Sequence, residues 1–187
     1  MIARLAVLFL LLAPPVVAQG VQQMVMAAGA PVERLVLPDI PVTDASGRQQ
    51  GIVSRFAGEG ALLIAFSYTD CLTLCPITHA ILRGVDEGLS GPDAPPLTIL
   101  TISLDPVRDT PARLADAAQQ LGASQRWVWL AASPADTPAL LSAMGAPPGP
   151  PEAHDPLFLM GDMASGDFRR IAGLPDPDEI LSLVARR

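Results

Sequence analysis

The stretch that decides the fold runs from residue 61 to residue 76 and reads Ala61-Leu-Leu-Ile-Ala-Phe-Ser-Tyr-Thr-Asp-Cys-Leu-Thr-Leu-Cys-Pro76. Its first six residues are an unbroken apolar run, which predicts a buried strand. Pro76 favours the first turn of a helix, predicted over residues 76–89, with Cys75 as its N-cap. The apolar stripe of this helix repeats every four residues, at Ile77, Ile81, Val85 and Leu89.

The only two cysteines of the chain, Cys71 and Cys75, therefore lie between a buried strand and the start of a helix. The positive end of a helix dipole stabilises a thiolate, so this position favours reactive thiols. Two such thiols can act as a redox pair, one attacking and one resolving, or as soft ligands for copper. A purely structural bridge is the alternative, but closing so small a loop stabilises a fold little.

The rest of the chain continues the alternation of strands and helices. A hairpin is predicted over residues 35–52, and Trp127 and Trp129 are expected on opposite faces of their strand. Together the elements predict an α/β, thioredoxin-like fold, with a mixed sheet, helices on both faces and an N-terminal β-hairpin. The further strands are predicted at 97–104, 127–130, 157–160 and 168–171, and the further helices at 110–121, 133–144 and 176–184.

The N-terminus has the pattern of an export signal. Arg4 precedes the apolar run 5–12, and small residues precede a predicted cut between Ala18 and Gln19. We therefore divide the chain into a signal peptide (1–18), a flexible lead-in (19–32) and one domain (33–187). The protein is expected to be exported to the periplasm, with an uncleaved membrane anchor as the alternative.

The charge of the chain limits its partners. The formal net charge is −7 at pH 7, with 12 Lys plus Arg against 19 Asp plus Glu, and no lysine occurs. An acidic surface argues against nucleic acid as a partner, because phosphate binding needs a basic face. No pattern favours an obligate oligomer, so we expect a monomer.

Three features of the sequence resemble the Sco/SenC family of copper-binding, thioredoxin-fold proteins. The first is the segment 66–76 with its Cys-x-x-x-Cys-Pro spacing, and the second is Ser103-Leu-Asp-Pro-Val-Arg-Asp-Thr-Pro111, similar to the family's Asp-Pro-x-x-Asp-Thr-Pro motif. The third is His154, placed before the apolar run 157–160, where the family has its copper-binding histidine. The resemblance covers residues from about 33 to 185.

The resemblance implies a copper ion bound by Cys71, Cys75 and His154. It implies partners as well: the copper-site subunit of a cytochrome oxidase or a similar cuproprotein, and a thioredoxin-like reductant or another copper donor. Two departures are visible. Leu-Thr-Leu stands between the cysteines, where many members have a proline and an acidic residue, and His154 is followed by Asp155-Pro156 after a proline-rich segment.

Several side chains keep alternative interpretations. The only other histidine, His79, is a rival ligand because it follows Cys75 by four residues on the predicted helix. Asp105 is a candidate for orienting the site, whereas Asp109 is expected mainly to belong to a helix start. Asp70 would raise the pKa of the neighbouring Cys71 thiol if it lay close. Met24 and Met26 could form a soft copper-binding pair, or belong to the frayed start of the domain.

Two functional hypotheses follow. The first is an exported copper chaperone that helps to assemble the binuclear copper site of a respiratory cytochrome oxidase. The alternative is a copper-independent thiol–disulfide oxidoreductase that acts on client cysteines through Cys71 and Cys75. A third hypothesis is a peroxidase, but the spacing of the two cysteines and the late position of His154 are not expected in such an enzyme.

Overall fold

A computed structural model describes residues 30–146 and 149–186. One eight-stranded sheet has the order β1-β8-β7-β4-β5-β6-β2-β3, in which β4, β5 and β6 are parallel and the other pairs are antiparallel. The strands are β1 (Val32–Arg34), β2 (Pro41–Asp44), β3 (Gln49–Gly51), β4 (Ala61–Ser67), β5 (Thr98–Ser103), β6 (Trp127–Ala132), β7 (Leu157–Asp162) and β8 (Asp167–Ala172). The helices are α1 (Ile52–Phe56), α2 (Cys75–Gly88), α3 (Pro111–Leu121), α4 (Thr137–Ala143) and α5 (Pro177–Ala185), with a 3-10 turn at Pro151–Ala153.

The two faces of the sheet carry two separate buried clusters. Alternate residues of β4 contribute to them, because successive side chains of a strand point to opposite faces: Leu62 and Ile64 belong to one cluster, and Leu63 and Ala65 to the other. The first cluster packs against α1 and α4, and the second against α2, α3 and α5. The predicted thioredoxin-like mixed sheet with helices on both faces is thereby confirmed.

The strand directions gather three loops at one end of the sheet. Parallel strands β4 and β5 end side by side, with Ser67 opposite Ser103. Strand β7 is antiparallel to β4 and pairs Phe158 with Ala65, so β7 begins at the same end. The loop after β4 carries both cysteines, the loop after β5 carries Asp105 and Asp109, and the loop before β7 carries His154.

The predicted N-terminal hairpin is present as β2 and β3, but its strands are shorter than expected. A short helix, α1, follows directly and was not predicted. The three-residue strand β1 was also missed, since a partner strand far along the chain, β8, supplies its hydrogen bonds.

Three local predictions were wrong. Helix α4 begins at Thr137 instead of Ser133, because residues 133–136 form a turn in which the Ser133 hydroxyl accepts a hydrogen bond from the backbone N–H of Asp136 (3.1 Å). Ile77 is 44% exposed, although the other members of its stripe are buried. Trp127 and Trp129 share one face, as residues two apart in a strand must, and their rings stack with centroids 6.0 Å apart.

The predicted signal peptide, most of the lead-in and the Met24/Met26 pair lie outside the described residues. Within the described part of the chain, no helix combines the length and the apolar character needed to cross a membrane.

Candidate metal centre

The cysteines are joined by a disulfide at the start of α2. The Cys71–Cys75 sulfur–sulfur distance is 2.13 Å, and the Cα atoms are 5.7 Å apart. Cys75 was predicted as the N-cap, but Leu74 occupies that position: its carbonyl accepts the first helical hydrogen bond, from the N–H of Thr78 (3.1 Å). Cys75 is thus the first helical residue, and its own N–H points at the sulfur of Cys71 (3.4 Å). Donors in this position stabilise negative charge on Cys71 once the pair is reduced.

A buried carboxylate fixes the loop ahead of Cys71. Asp109 accepts hydrogen bonds from the hydroxyl of Thr69 (2.6 Å), from the N–H of Thr69 (3.2 Å) and from the hydroxyl of Ser103 (2.6 Å). Only 3% of Asp109 is exposed. Thr110 caps α3, as predicted for this segment, by accepting a hydrogen bond from the N–H of Arg113 (3.4 Å). Asp109 itself reaches across to the cysteine loop, which the sequence did not reveal.

Asp70, the neighbour of Cys71 in the sequence, forms an ion pair with Arg113. The guanidinium of Arg113, on α3, forms an ion pair with Asp70 and donates a hydrogen bond to the hydroxyl oxygen of Thr69 (3.1 Å). The charge that was expected to oppose a Cys71 thiolate is therefore offset by a cation from the neighbouring helix.

His154 follows the 3-10 turn Pro151–Ala153 and presents one nitrogen without a partner. Its Nδ1 lies 3.1 Å from the carbonyl oxygen of Pro150, which can only accept, so Nδ1 carries the proton of the neutral ring. Its Nε2 is then the unprotonated nitrogen. This atom is buried and has no hydrogen-bond partner among the described residues. A metal-binding histidine has this arrangement, because a hydrogen bond at one nitrogen fixes the ring and the tautomer.

A small cleft brings the three predicted ligands together. It encloses about 20 Å³, the space of a single water-sized group. Cys71, Cys75 and His154 all line it. Its other walls come from Phe66, Tyr68, Thr73, Leu74, Thr78, Leu104, Pro151, Glu152, Asp155 and Pro156.

The donor set suits a soft metal, provided that the disulfide is reduced. Two thiolates and one imidazole favour copper(I) and related ions. With the sulfurs bonded to each other, the described residues contain no group of three or more His, Cys, Asp or Glu side chains placed to hold a metal ion. Reduction is therefore the first requirement, because thiolate, and not disulfide sulfur, is the ligand.

Asp105 does not line the cleft, but two other side chains, Arg108 and Glu152, link it to the cleft. It is buried and paired with the guanidinium of Arg108. The same guanidinium lies 3.9 Å from a carboxylate oxygen of Glu152, which does line the cleft. Buried Tyr68, another wall residue, has a raised pKa, mainly because burial disfavours the phenolate and next because of the charge of Glu152.

His79 lies outside the cleft and packs against the sheet. Its Nε2 is 2.6 Å from the hydroxyl oxygen of Ser67, and its ring centroid is 5.2 Å from that of Trp129. Burial lowers the pKa of His79 to about 4, so the ring is neutral at pH 7. One of its two ring nitrogens, Nε2, is thus engaged with Ser67.

Comparison with known proteins identifies the family. The model of the SCO1/SenC family matches residues 42–143. No match was found among curated proteins. Three solved structures share the fold. BsSco, described as a member of the Sco family of cytochrome c oxidase assembly proteins with a disulfide switch, is 21% identical, with a TM-score of 0.70, and the match covers 84% of this chain and 95% of that one.

The second structure is Bradyrhizobium japonicum ScoI with copper bound. It is 22% identical, with a TM-score of 0.64, and the match covers 81% of this chain and 98% of that one. The third is a SCO1/SenC family lipoprotein from Bacillus anthracis str. Ames. It is 18% identical, with a TM-score of 0.68, and the match covers 83% of this chain and 96% of that one. The family model spans more than half of the chain, and the sheet, the cysteine loop and the late histidine follow the order that the sequence predicted. This chain belongs to the SCO1/SenC family.

Proposed function

We propose that this chain is an exported copper chaperone that holds one copper ion through Cys71, Cys75 and His154 and assists the assembly of the binuclear copper site of a respiratory cytochrome oxidase. One observation carries the proposal: the Nε2 of His154 is buried and has no hydrogen-bond partner among the described residues, and His154 lines the same small cleft as both cysteines. A buried polar atom without a hydrogen bond costs stability, and a metal ion bound to Nε2 would remove that cost.

The chain's own residues divide the work of holding the cargo. The start of α2 and the N–H of Cys75 stabilise the thiolate form of Cys71. The Pro150 carbonyl keeps the proton of His154 on Nδ1, which leaves Nε2 as a donor of an electron pair. Reduction of the pair releases two thiols, and binding of the metal then displaces their protons to solvent. The low net charge of the resulting site is compatible with the partly apolar walls of the cleft.

Export is part of the same proposal. The N-terminal pattern of residues 1–18 supports it, and so does the fact that one structural neighbour is a lipoprotein. N-terminal sequencing of protein purified from a periplasmic fraction tests the cut between Ala18 and Gln19. Recovery of the intact N-terminus in the membrane fraction would favour the uncleaved anchor instead.

A copper titration of the fully reduced protein tests the ligand set. We expect a one-to-one complex whose copper(II) form has intense thiolate-to-copper absorption, lost in Cys71→Ser and shifted in His154→Ala. His79→Gln is the matched control, because it removes the chain's other histidine from outside the cleft. If His154→Ala binds copper like the parent, or His79→Gln abolishes the complex, the stated ligand set is wrong.

The second candidate is the copper-independent thiol–disulfide oxidoreductase. The Cys71–Cys75 disulfide at a helix start favours it, since this is the oxidised form of a dithiol redox pair. Copper is then irrelevant, so His154→Ala should reduce a client disulfide at the parent's rate with a copper chelator present. If the protein exchanges no disulfide with the client under these conditions, the oxidoreductase function is excluded.

A further inference from the structure

A second and larger pocket lies at the opposite end of the sheet from the cysteine cleft, where β5 and β6 begin. Its volume is about 590 Å³, which is within the range of small-molecule sites. The charged side chains that line it are Arg48, Arg55, Arg126 and Glu59, and we call it the arginine pocket. Three guanidiniums against one carboxylate leave a local charge of +2, although the formal net charge of the chain is −7. This reversal of sign favours an anionic ligand.

The topology of the sheet brings the three arginines together. Arg48 ends the turn between β2 and β3, where its carbonyl accepts a hydrogen bond from the N–H of Asp44 (3.0 Å), and Arg55 lies on α1, directly after β3. Arg126 precedes β6, and its carbonyl accepts a hydrogen bond from the N–H of Ile99 at the start of β5 (2.8 Å). Because β2 is antiparallel to β6, the turn after β2 lies beside the start of β6.

Arg55 has an unsatisfied donor at this pocket. Its Nη2 donates a hydrogen bond to the carboxylate of Asp44 (2.7 Å), and its side chain is 13% exposed. Its Nη1 is buried and has no hydrogen-bond partner among the described residues. A buried donor without an acceptor costs free energy, and an anion in the pocket would remove that cost. Asp44 itself does not line the pocket.

The other two guanidiniums also keep donors for a ligand. Arg48 donates one hydrogen bond, from Nη2 to the side-chain oxygen of Gln50 (2.6 Å). The Nε of Arg126 lies 3.6 Å from a carboxylate oxygen of Asp86, which already accepts hydrogen bonds from the N–H and the hydroxyl of Ser124 (2.9 and 2.6 Å). Asp86 does not line the pocket. Within the described part of the chain, all three arginines therefore retain N–H groups without an acceptor.

We propose that the arginine pocket binds a small, soluble phosphate monoester. A phosphate group offers three acceptor oxygens and about two negative charges, whereas a carboxylate offers two oxygens and one charge, so three guanidiniums favour phosphate. The acidic net charge of the chain disfavours an anionic membrane surface as the source of that phosphate. The rest of the lining is apolar or uncharged and suits the organic part of the ester: Phe56, Val128, Thr98, Ser124 and Gln125.

This site is independent of the proposed copper function, because the pocket and the cleft lie at opposite ends of the sheet. Isothermal titration calorimetry of the purified protein with phenyl phosphate, in a buffer without phosphate, tests it. Benzoate is the matched probe, since it carries the same ring with a carboxylate. We expect one phenyl phosphate per chain, bound about tenfold more tightly than benzoate and more weakly as the salt concentration rises.

Two substitutions locate the binding. Arg126→Gln and Arg48→Gln should each lower the affinity for phenyl phosphate by about tenfold, the effect of losing one charge-assisted hydrogen bond. Arg83→Gln is the matched control, because Arg83 is an exposed arginine on α2, paired with Glu87 and outside the pocket. Arg55→Gln is less suitable, since it also removes the cation paired with the buried Asp44.

The proposal fails if phenyl phosphate does not bind, or if benzoate binds equally well. It also fails if neither Arg126→Gln nor Arg48→Gln weakens the binding, or if Arg83→Gln weakens it to the same extent. Sedimentation with phosphatidylglycerol vesicles, with phosphatidylcholine vesicles as the reference, examines the alternative source of phosphate. Vesicle binding that Arg126→Gln abolishes and phenyl phosphate does not displace would assign the pocket to a lipid headgroup and reject the soluble ester.

Discussion

The two segments that meet at the cleft are held in different ways. The cysteine segment begins at the end of the central strand β4, is fixed through Thr69 by the buried Asp109, and continues into the 14-residue helix α2. The histidine segment consists of a proline-dense stretch and one 3-10 turn. Among the described residues, its only ion pair with the rest of the protein is Glu152–Arg108, at 3.9 Å and well exposed.

The contrast indicates that the two cysteines sit on a firmly held base, whereas His154 sits on a more weakly attached arm. Ligands on helices and strands are held more precisely than ligands on loops. The proposed copper chaperone would have to release its cargo as well as bind it. We expect release to begin with the arm that carries His154 and not with the cysteine segment.

The largest expected effect comes from removing the anchor of the cysteine segment. Asp109→Ala leaves three hydrogen-bond donors of Thr69 and Ser103 without their partner, two of them hydroxyls. We expect the free energy of unfolding to fall by about 3 kcal/mol, since buried donors without acceptors are costly. Urea unfolding of the oxidised protein measures this loss.

Asp116→Ala is the matched control for that change, because Asp116 is an exposed aspartate on the same helix α3. Its unfolding free energy should stay within about 0.5 kcal/mol of the parent's. Equal losses in the two variants would show that Asp109 does not hold the cysteine segment.

The next effect compares the two histidines through pH. Burial lowers the pKa of His79 from 6.5 to about 4 in the folded protein, so the unfolded chain binds more protons between these values. The contribution of His79 to the free energy of unfolding is therefore fully present above pH 6.5 and is lost as the pH falls toward 4. The upper limit of this loss is about 3 kcal/mol, and we expect a smaller loss because the ring is partly exposed to solvent.

Urea unfolding at several pH values between 7 and 4 measures this slope. His79→Gln should flatten it, whereas His154→Gln, which leaves His79 in place, should keep it. Retention of the full slope in His79→Gln would assign the pH dependence to other groups and contradict the burial of His79 against Ser67 and Trp129.

The smallest effect on stability is expected from Glu152→Gln, a change that tests how the arm carrying His154 is attached. Exposed ion pairs contribute little, so the unfolding free energy should change by less than about 0.5 kcal/mol. Copper transfer to a chelator should nevertheless become faster at low salt, because the link from Arg108 to the His154 arm is lost, and the difference should shrink at high salt.

Glu87→Gln provides the control for this measurement, since Glu87 forms an exposed pair with Arg83 on α2, remote from the cleft. If Glu152→Gln and the parent release copper at the same rate at low salt, the ion pair does not position the arm.

Much of this architecture was predictable because it depends on local patterns. The apolar run 61–66 fixed β4, Pro76 and Pro111 lie in the first turns of α2 and α3, and the order of the motifs gave the family. Strand β1 was not predictable, because only its pairing with β8 makes it a strand.

The contacts around the cleft were harder to predict than the residues proposed as ligands, all three of which line it. Asp109 looked like part of a helix start, and its true partner, Thr69, is 40 residues away in the sequence. The Asp-Thr-Pro run gave a sufficient local explanation and so concealed the long-range one. Only the pairing of β4 with β5 brings the two loops side by side, and no periodicity in the sequence encodes that neighbourhood.

The placement of the tryptophans also gives the protein an internal optical signal. The chain has only two, stacked together on one face of the sheet, and the ring of Trp129 lies 5.2 Å from His79, one turn beyond Cys75 on α2. A protonated imidazole quenches an excited indole more strongly than a neutral one. Intrinsic fluorescence should therefore dim as His79 takes up its proton, and any shift of α2 that accompanies reduction of the disulfide or loading of the cleft should be readable in the emission of the unlabelled protein.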